Sequence, residues 1–345
     1  MSTTESGSGS LPQVIVDPHG RRMDEVFSAE DLGRLKTMAT VVWGRDDPMP
    51  PDDMRRALGR ADAVITAGWR YGALPESTAR LRAIIDVGGG FPRDLDHAEC
   101  ARRGIRVLTA APAFGPQVAE MALALALAST RGIASSDRAM RDGSERWMHA
   151  GNEDTFLLSG QPVGLIGYGS IARALRPLLA PFGCRIGVSD PWLGDGYLRS
   201  EGLEPMDLVS LVRWSRVLFV LASPSAANKA LLDRTVLEQA RPGSVIVLVS
   251  RAHLVDFDAL TDLVLAGHLR AAIDVFPVEP LPADHPIRSA PGAVLTAHIA
   301  GAVREGLWEL GRLAVDDLEA ILRGLPPRRC QVATPEIIAR LLGPT

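Results

Sequence analysis

The sequence predicts an α/β protein built from two doubly wound parallel-sheet units, and three observations predict it. Short apolar runs alternate with helical stretches along the chain. These runs fall into two consecutive sets of similar size, and a glycine-rich turn stands mid-chain, directly after the first run of the second set.

Taken in order, residues 1–10 are rich in Ser, Gly and Thr and lack the basic-then-apolar pattern of a signal peptide, so a disordered tail is expected. The first set of strands is expected at residues 14–16, 41–43, 63–66, 84–87 and 107–108. A helix is expected over residues 29–38, where Ser28 and Asp31 resemble a capping box. The most apolar window, residues 118–129, contains Glu120 and is short for a bilayer span, so it reads as a buried helix. The second set begins at Val163 and continues at residues 186–189, 217–221, 245–249, 271–275 and 294–296. A long amphipathic helix over residues 304–323 (Leu307, Leu310, Leu313, Leu318, Ile321, Leu322) is expected to return to the first unit. Pro326-Pro327-Arg328-Arg329 reads as a linker to a short C-terminal tail.

Composition bounds the function. The 345 residues are 46% hydrophobic and 23% charged, as in soluble globular proteins. A net charge of −4 supplies no electrostatic reason for a nucleic-acid or membrane partner. Cys100, Cys184 and Cys330 lie far apart with no CxxC spacing, which argues against a disulfide framework or a cysteine metal site. A reducing, cytoplasmic setting and no metal are the expectations.

Residues 162–166 read as a buried strand, followed at once by Gly167-Tyr168-Gly169-Ser170-Ile171-Ala172 and a helix through Leu175, Leu178 and Leu179. Gly167 suits a tight turn, Gly169 lets backbone amides approach a pyrophosphate, and Ala172 lets helix pack on strand. The next strand ends at Asp190, where a carboxylate would accept hydrogen bonds from an adenosine ribose and disfavour a 2′-phosphate. The expected ligand is NAD (NADH) rather than NADP.

Three groups suited to carboxylate binding and proton transfer each follow a strand of the second set: Arg251, Glu279 and His298. That edge is where open α/β sheets place ligands.

Residues 250–256 (Ser-Arg-Ala-His-Leu-Val-Asp), 273–282 (Ile-Asp-Val-Phe-Pro-Val-Glu-Pro-Leu-Pro) and 295–301 (Leu-Thr-Ala-His-Ile-Ala-Gly) occur in this order. With the mid-chain glycine turn, they closely resemble the D-isomer-specific 2-hydroxyacid dehydrogenases, from about Ala63 to Arg328. The resemblance implies a flavodoxin-like substrate domain (residues 11–112 plus 307–345) and a Rossmann NAD-binding domain (residues 113–306), with a cleft between them. It implies that Arg251 clamps a substrate carboxylate and polarises the keto oxygen. His298 would exchange the proton. Glu279 would orient the imidazole and favour its protonated form. Cofactor contacts are implied at Gly167, Gly169, Ser170, Ile171, Asp190, Ser250, Asp274 (near the nicotinamide carboxamide) and Gly301, with Val118-Ala119-Glu120 matching further positions. Gly88 and Gly89 would offer N–H groups to the substrate carboxylate. A homodimer, with the apolar helix near residues 118–129 in the contact, is also implied.

Three departures from the family pattern stand out. Ser170 replaces a frequent arginine, Ala252-His253 replaces Gly-Gly or Gly-Ala, and residues 223–228 are a shortened form of the Pro-x-Thr-Pro-x-Thr loop. His253 and His285 match no catalytic position and are expected at the surface. Trp69 has two readings, lining a substrate mouth or packing. Within the enzyme class, a formate or phosphite dehydrogenase is the rival, and Glu279 argues against the formate branch, which pairs its histidine with glutamine. From another class, the alternative is an NAD(H)-sensing, corepressor-like binding protein of the same fold. No partner-binding segment is visible, which favours the enzyme.

Overall fold

The computed structural model describes residues 10–342, so the expected tail over residues 1–10 falls, except for Ser10, outside the described residues. Among the described residues, thirteen strands form: β1 (Gln13–Asp17), β2 (Thr40–Trp43), β3 (Ala63–Thr66), β4 (Ala83–Asp86), β5 (Arg106–Thr109), β6 (Pro162–Ile166), β7 (Arg185–Ser189), β8 (Glu204–Pro205), β9 (Val217–Val220), β10 (Val245–Leu248), β11 (Arg270–Ile273), β12 (Ala293–Leu295) and β13 (Gln331–Val332). Every strand expected from an apolar run is among them.

The chain divides into two compact units, one ending at Phe114 and resuming at Arg304, the other spanning Gly115–Val303. The first unit holds a sheet of order β13-β5-β4-β3-β1-β2, parallel except for β13. Its parallel part has the flavodoxin-like order, with the switch point between β1 and β3. Strands with continuous apolar runs suit a sheet covered on both faces. Alternate side chains accordingly enter two cores. Val14, Val16, Ile65 and Ile85 join one, and Ile15, Val64 and Ile84 join the other. The helix Arg304–Leu322 places Leu310, Leu313, Leu318 and Ile321 in the first of these cores, as its spacing predicts. At the other end of the chain, Ser28 caps the helix Ala29–Met38 by accepting the Asp31 N–H at 3.0 Å.

The C-terminal segment corrects the reading of a linker and tail. Gln331 and Val332 pair antiparallel with Thr109 and Leu108 of β5, and Thr334 caps the helix Pro335–Leu341. A two-residue strand is too short to show a period, so its apolar pattern carried no signal.

The second unit holds a parallel sheet of order β12-β11-β10-β9-β6-β7-β8. From β8 to β11 this is the Rossmann order, with the switch point between β6 and β9. The helix Gly115–Thr130 packs on β10, β11 and the helix Ser170–Leu179, burying Val118, Ala119, Ala122, Leu125 and Ala126. Residues Ala111–Thr130 are long and apolar enough to span a bilayer by length and composition, so the length argument made from residues 118–129 does not hold. The packing is what places this helix against a sheet.

Candidate active site

Within the second unit, every candidate stands at the carboxyl edge of the sheet. The glycine turn leaves β6, Asp190 follows β7, Ser250 and Arg251 follow β10, Asp274 follows β11, and His298 follows β12. Parallel strands bring these distant residues to one edge, and short loops hold them there.

At the turn, Gly167 has φ +85°, and a side chain would bring Cβ to 2.7 Å from the Ala222 backbone, so only glycine fits. Gly169, by contrast, opens onto space with nothing within 4 Å of a built Cβ. Ala172 is a buried residue of the helix Ser170–Leu179, whose first turn has no side-chain cap and whose leading N–H groups have no intrahelical acceptor. The Asp190 carboxylate accepts the Tyr168 N–H on Oδ2 and the Trp192 N–H on Oδ1, both at 2.8 Å. It therefore braces the glycine turn, and its further lone pairs suit ribose hydroxyls. These residues fit a dinucleotide.

Ser170 is exposed at the start of its helix. One turn on, Arg173 stacks its guanidinium on the rings of Tyr168 (4.8 Å) and Tyr197 (5.5 Å) and donates to the Tyr197 hydroxyl at 2.7 Å. Sequence reading passed over this cation beside the turn, and its i+3 spacing from Ser170 was the available signal.

His298 Nδ1 and Glu279 Oε2 lie 2.6 Å apart. His298 has φ +52°, a left-handed conformation that is costly for a residue with a Cβ and persists only where surrounding contacts impose it. Asp274 imposes it. Its fully buried carboxylate accepts the Thr296 hydroxyl (2.6 Å), the Ile299 N–H (3.0 Å) and the Ala300 N–H (3.0 Å), so both sides of His298 are clamped. Read from sequence as a cofactor contact, Asp274 is in this structure the brace of the histidine loop. Glu279 in turn accepts the Phe276 N–H at 2.9 Å. Burial opposes its ionisation. The hydrogen bonds from His298 and Phe276 and the charges of His298 and Arg251 outweigh that, holding the carboxyl below the usual glutamate range.

Arg251 is exposed, with Nη1 donating to the Ser250 carbonyl at 2.7 Å, while the Ser250 hydroxyl ties β10 to the Val220 carbonyl of β9 at 2.9 Å. Gly301 and Ile171 are half-buried along the same loops. Two histidines expected at the surface are half-buried instead. His253 Nε2 lies 3.3 Å from Asn228 Oδ1, linking the Arg251 loop to the shortened 223–228 loop. His285 caps a short turn through Ile287 N–H and meets the Phe257 ring edge-on at 5.6 Å.

In the first unit, Gly88 and Gly89 do not present free amides. Their N–H groups donate to Asp86 Oδ1 at 2.8 and 3.1 Å, and Gly68 N–H donates to Oδ2 at 2.7 Å. The chain's own carboxylate fills the nest that was expected to receive a substrate carboxylate. Burial pushes the Asp86 carboxyl above the usual aspartate range, opposed by these amide bonds. Arg21 lies alongside, its Nε donating to the Val87 carbonyl at 3.0 Å; separated by 66 positions, the pair left no trace in sequence spacing. Trp69 is 3% exposed and donates to the Gly72 carbonyl at 2.7 Å, so it packs.

A glycine turn on a Rossmann sheet, an acid closing the next strand and a carboxylate-oriented histidine on the same edge define a dinucleotide-binding domain of dehydrogenase type. The family described as "D-isomer specific 2-hydroxyacid dehydrogenase, NAD binding domain" matches residues 123–300. The chain belongs to this family, and its cofactor is NAD(H). It is 28% identical to a D-3-phosphoglycerate dehydrogenase of Mycobacterium tuberculosis over 319 residues, 91% of this chain, and spans 58% of that protein's length. It is also 28% identical to a glyoxylate reductase of Thermofilum pendens over 309 residues, covering 86% of this chain and 89% of that one. The solved structure of a phosphoglycerate oxidoreductase from Rhizobium etli superposes with a TM-score of 0.83 at 35% identity, covering 94% of this chain and 98% of that one.

Proposed function

We propose that the chain is an NAD-dependent oxidoreductase interconverting a small 2-keto acid and its D-2-hydroxy acid. The observation that carries this reading is the 2.6 Å His298–Glu279 pair on the sheet edge that bears the glycine turn. With Nδ1 bonded to Glu279, Nε2 is the nitrogen assigned to the substrate oxygen. NADH, when bound, supplies the hydride to the keto carbon. Protonated His298 gives its Nε2 proton to the keto oxygen, which becomes the hydroxyl, and takes it back in the reverse direction. Arg251 binds the substrate carboxylate through its planar fork and faces the negative charge developing on the keto oxygen. Glu279 holds the ring through Nδ1, so that Nε2 is the nitrogen left for the substrate. With the Gly88 and Gly89 amides occupied by Asp86, the main anchor for the carboxylate is Arg251. A homodimer in the cytoplasm completes the proposal.

The test is NADH consumption with glyoxylate, hydroxypyruvate, pyruvate and bulkier branched or aromatic keto acids. Turnover of at least one, with a D-configured product, is expected. Tight NADH binding with no turnover of any acid overturns the proposal in favour of an NAD(H) sensor.

A further inference from the structure

The amino edge of the first unit's sheet, opposite the edge that carries Asp86, holds a cavity of about 660 Å³. Four arginines line it, together with Asp62 and Gly324. Arg80 and Arg82 precede β4, Arg103 precedes β5, and Arg106 opens β5. Three parallel strands starting side by side gather charges that are more than forty positions apart in sequence, from Asp62 to Arg106. The single lining carboxylate is 2% exposed and already bonded. Asp62 accepts the Gln13 N–H at 3.0 Å and Arg80 Nη2 at 3.1 Å. Arg80 and Arg82 share Asp62, and Arg103 Nη1 lies 3.9 Å from Glu99, so four guanidiniums against these two carboxylates leave a net positive site on a chain whose net charge is −4.

The arginines are also held in place. Arg82 Nη1 donates to the Leu322 carbonyl at 3.1 Å and Arg106 Nη1 to the Leu325 carbonyl at 3.3 Å. Arg103 Nη2 donates to the Pro75 carbonyl at 2.9 Å and to the Thr78 hydroxyl. Each guanidinium has five N–H donors in a rigid plane, so anchoring one terminal nitrogen orients the rest. Fixed, planar donors around a small-molecule-sized cavity suit a multiply charged anion bound bidentately.

We propose that this cavity is a binding site for a small polyanion, a phosphorylated or polycarboxylated metabolite, separate from the catalytic edge. The proposal does not rest on the reaction assigned above, because its readout is binding and needs no turnover.

The experiment is titration of the full chain with inorganic pyrophosphate and, separately, with citrate, followed by calorimetry and thermal unfolding at ionic strength matched with NaCl. Saturable binding of either, with a rise in unfolding temperature, is expected. Pyrophosphate alone assigns the phosphate class, citrate alone the carboxylate class, and both assign the shared polyanion class. Arg82→Gln combined with Arg106→Gln should weaken binding about tenfold or more. Arg80→Gln, at a half-exposed position and leaving Asp62 its bond from the Gln13 N–H, should also weaken binding and serves if the double variant fails to fold. Arg55→Gln, on the surface helix Pro51–Leu58, should bind as the unaltered chain does. No saturable binding at matched ionic strength, equal loss in Arg55→Gln, no loss in Arg80→Gln, or displacement of the anion by NADH each overturns the proposal.

Discussion

At the carboxyl edge of the first unit's sheet, Asp17, Thr66, Asp86 and Thr109 stand in register across four neighbouring strands. At the same edge of the second unit's sheet stand the glycine turn, Asp190, Arg251, Asp274 and His298. Both rows arise from one topology, because a doubly wound parallel sheet delivers its strand ends to one side. They differ in where the polar groups are used. All four residues of the first row are buried. Asp86 binds three glycine amides, Asp17 binds Arg70, Tyr71 and the Met49 N–H, and the Thr66 hydroxyl donates to the Gly68 carbonyl. In the second row Asp274 is used in the same inward way, but Arg251, Glu279 and His298 remain exposed, tied to one another or to their own loops. A polar strand end marks a site only when its bonding capacity is not consumed by the fold.

The strongest challenge to this comparison is Arg251→Ala. It should lower kcat about a hundredfold or more, since in the proposed mechanism it removes a donor facing developing charge, while leaving the unfolding temperature nearly unchanged. The opposite pattern is expected from Asp86→Ala. It strands the Gly68, Gly88 and Gly89 amides and should cost about 1–3 kcal/mol of stability, seen in denaturant unfolding, with NADH affinity retained. Asp190→Ala sits between the two. Losing a brace and, in the proposed reading, a ribose acceptor, it should weaken NADH binding about tenfold and narrow the preference over NADPH, read by fluorescence titration. An unchanged cofactor ratio would count against that carboxylate's assigned role.

Much of this contrast was legible in the residues themselves. Continuous apolar runs located the strands, and the order of strand and glycine turn located the nucleotide edge, because both depend on local pattern. Arg251, Glu279 and His298 were legible because each follows such a run. What stayed hidden depends on contacts between distant positions. Asp86 could not be read as filling the Gly88–Gly89 nest, nor Asp274 as clamping the His298 loop, since both roles rest mainly on backbone amides that carry no residue signature. His253 and His285 look like surface residues until Asn228 and Phe257 are brought to them.

The smallest expected effect concerns pH. Because the Glu279 carboxyl titrates below its ordinary range, its pairing with His298 contributes stability above an unfolded-state pKa of about 4.3 and loses it as pH falls through the depressed value. The pair is partly exposed, so the contribution should stay under about 1 kcal/mol. The difference in unfolding free energy between the unaltered chain and Glu279→Gln should therefore be small at pH 7 and shrink further as pH falls below about 4.3, as measured by urea denaturation.

The central claim is that His298 carries out proton transfer on a scaffold that binds NADH without its help. Turnover and NADH affinity measured together on His298→Ala test it most directly. Turnover should fall about 10²–10⁴-fold while the NADH dissociation constant changes less than about twofold. Retained turnover, or loss of turnover and NADH binding together, would contradict it.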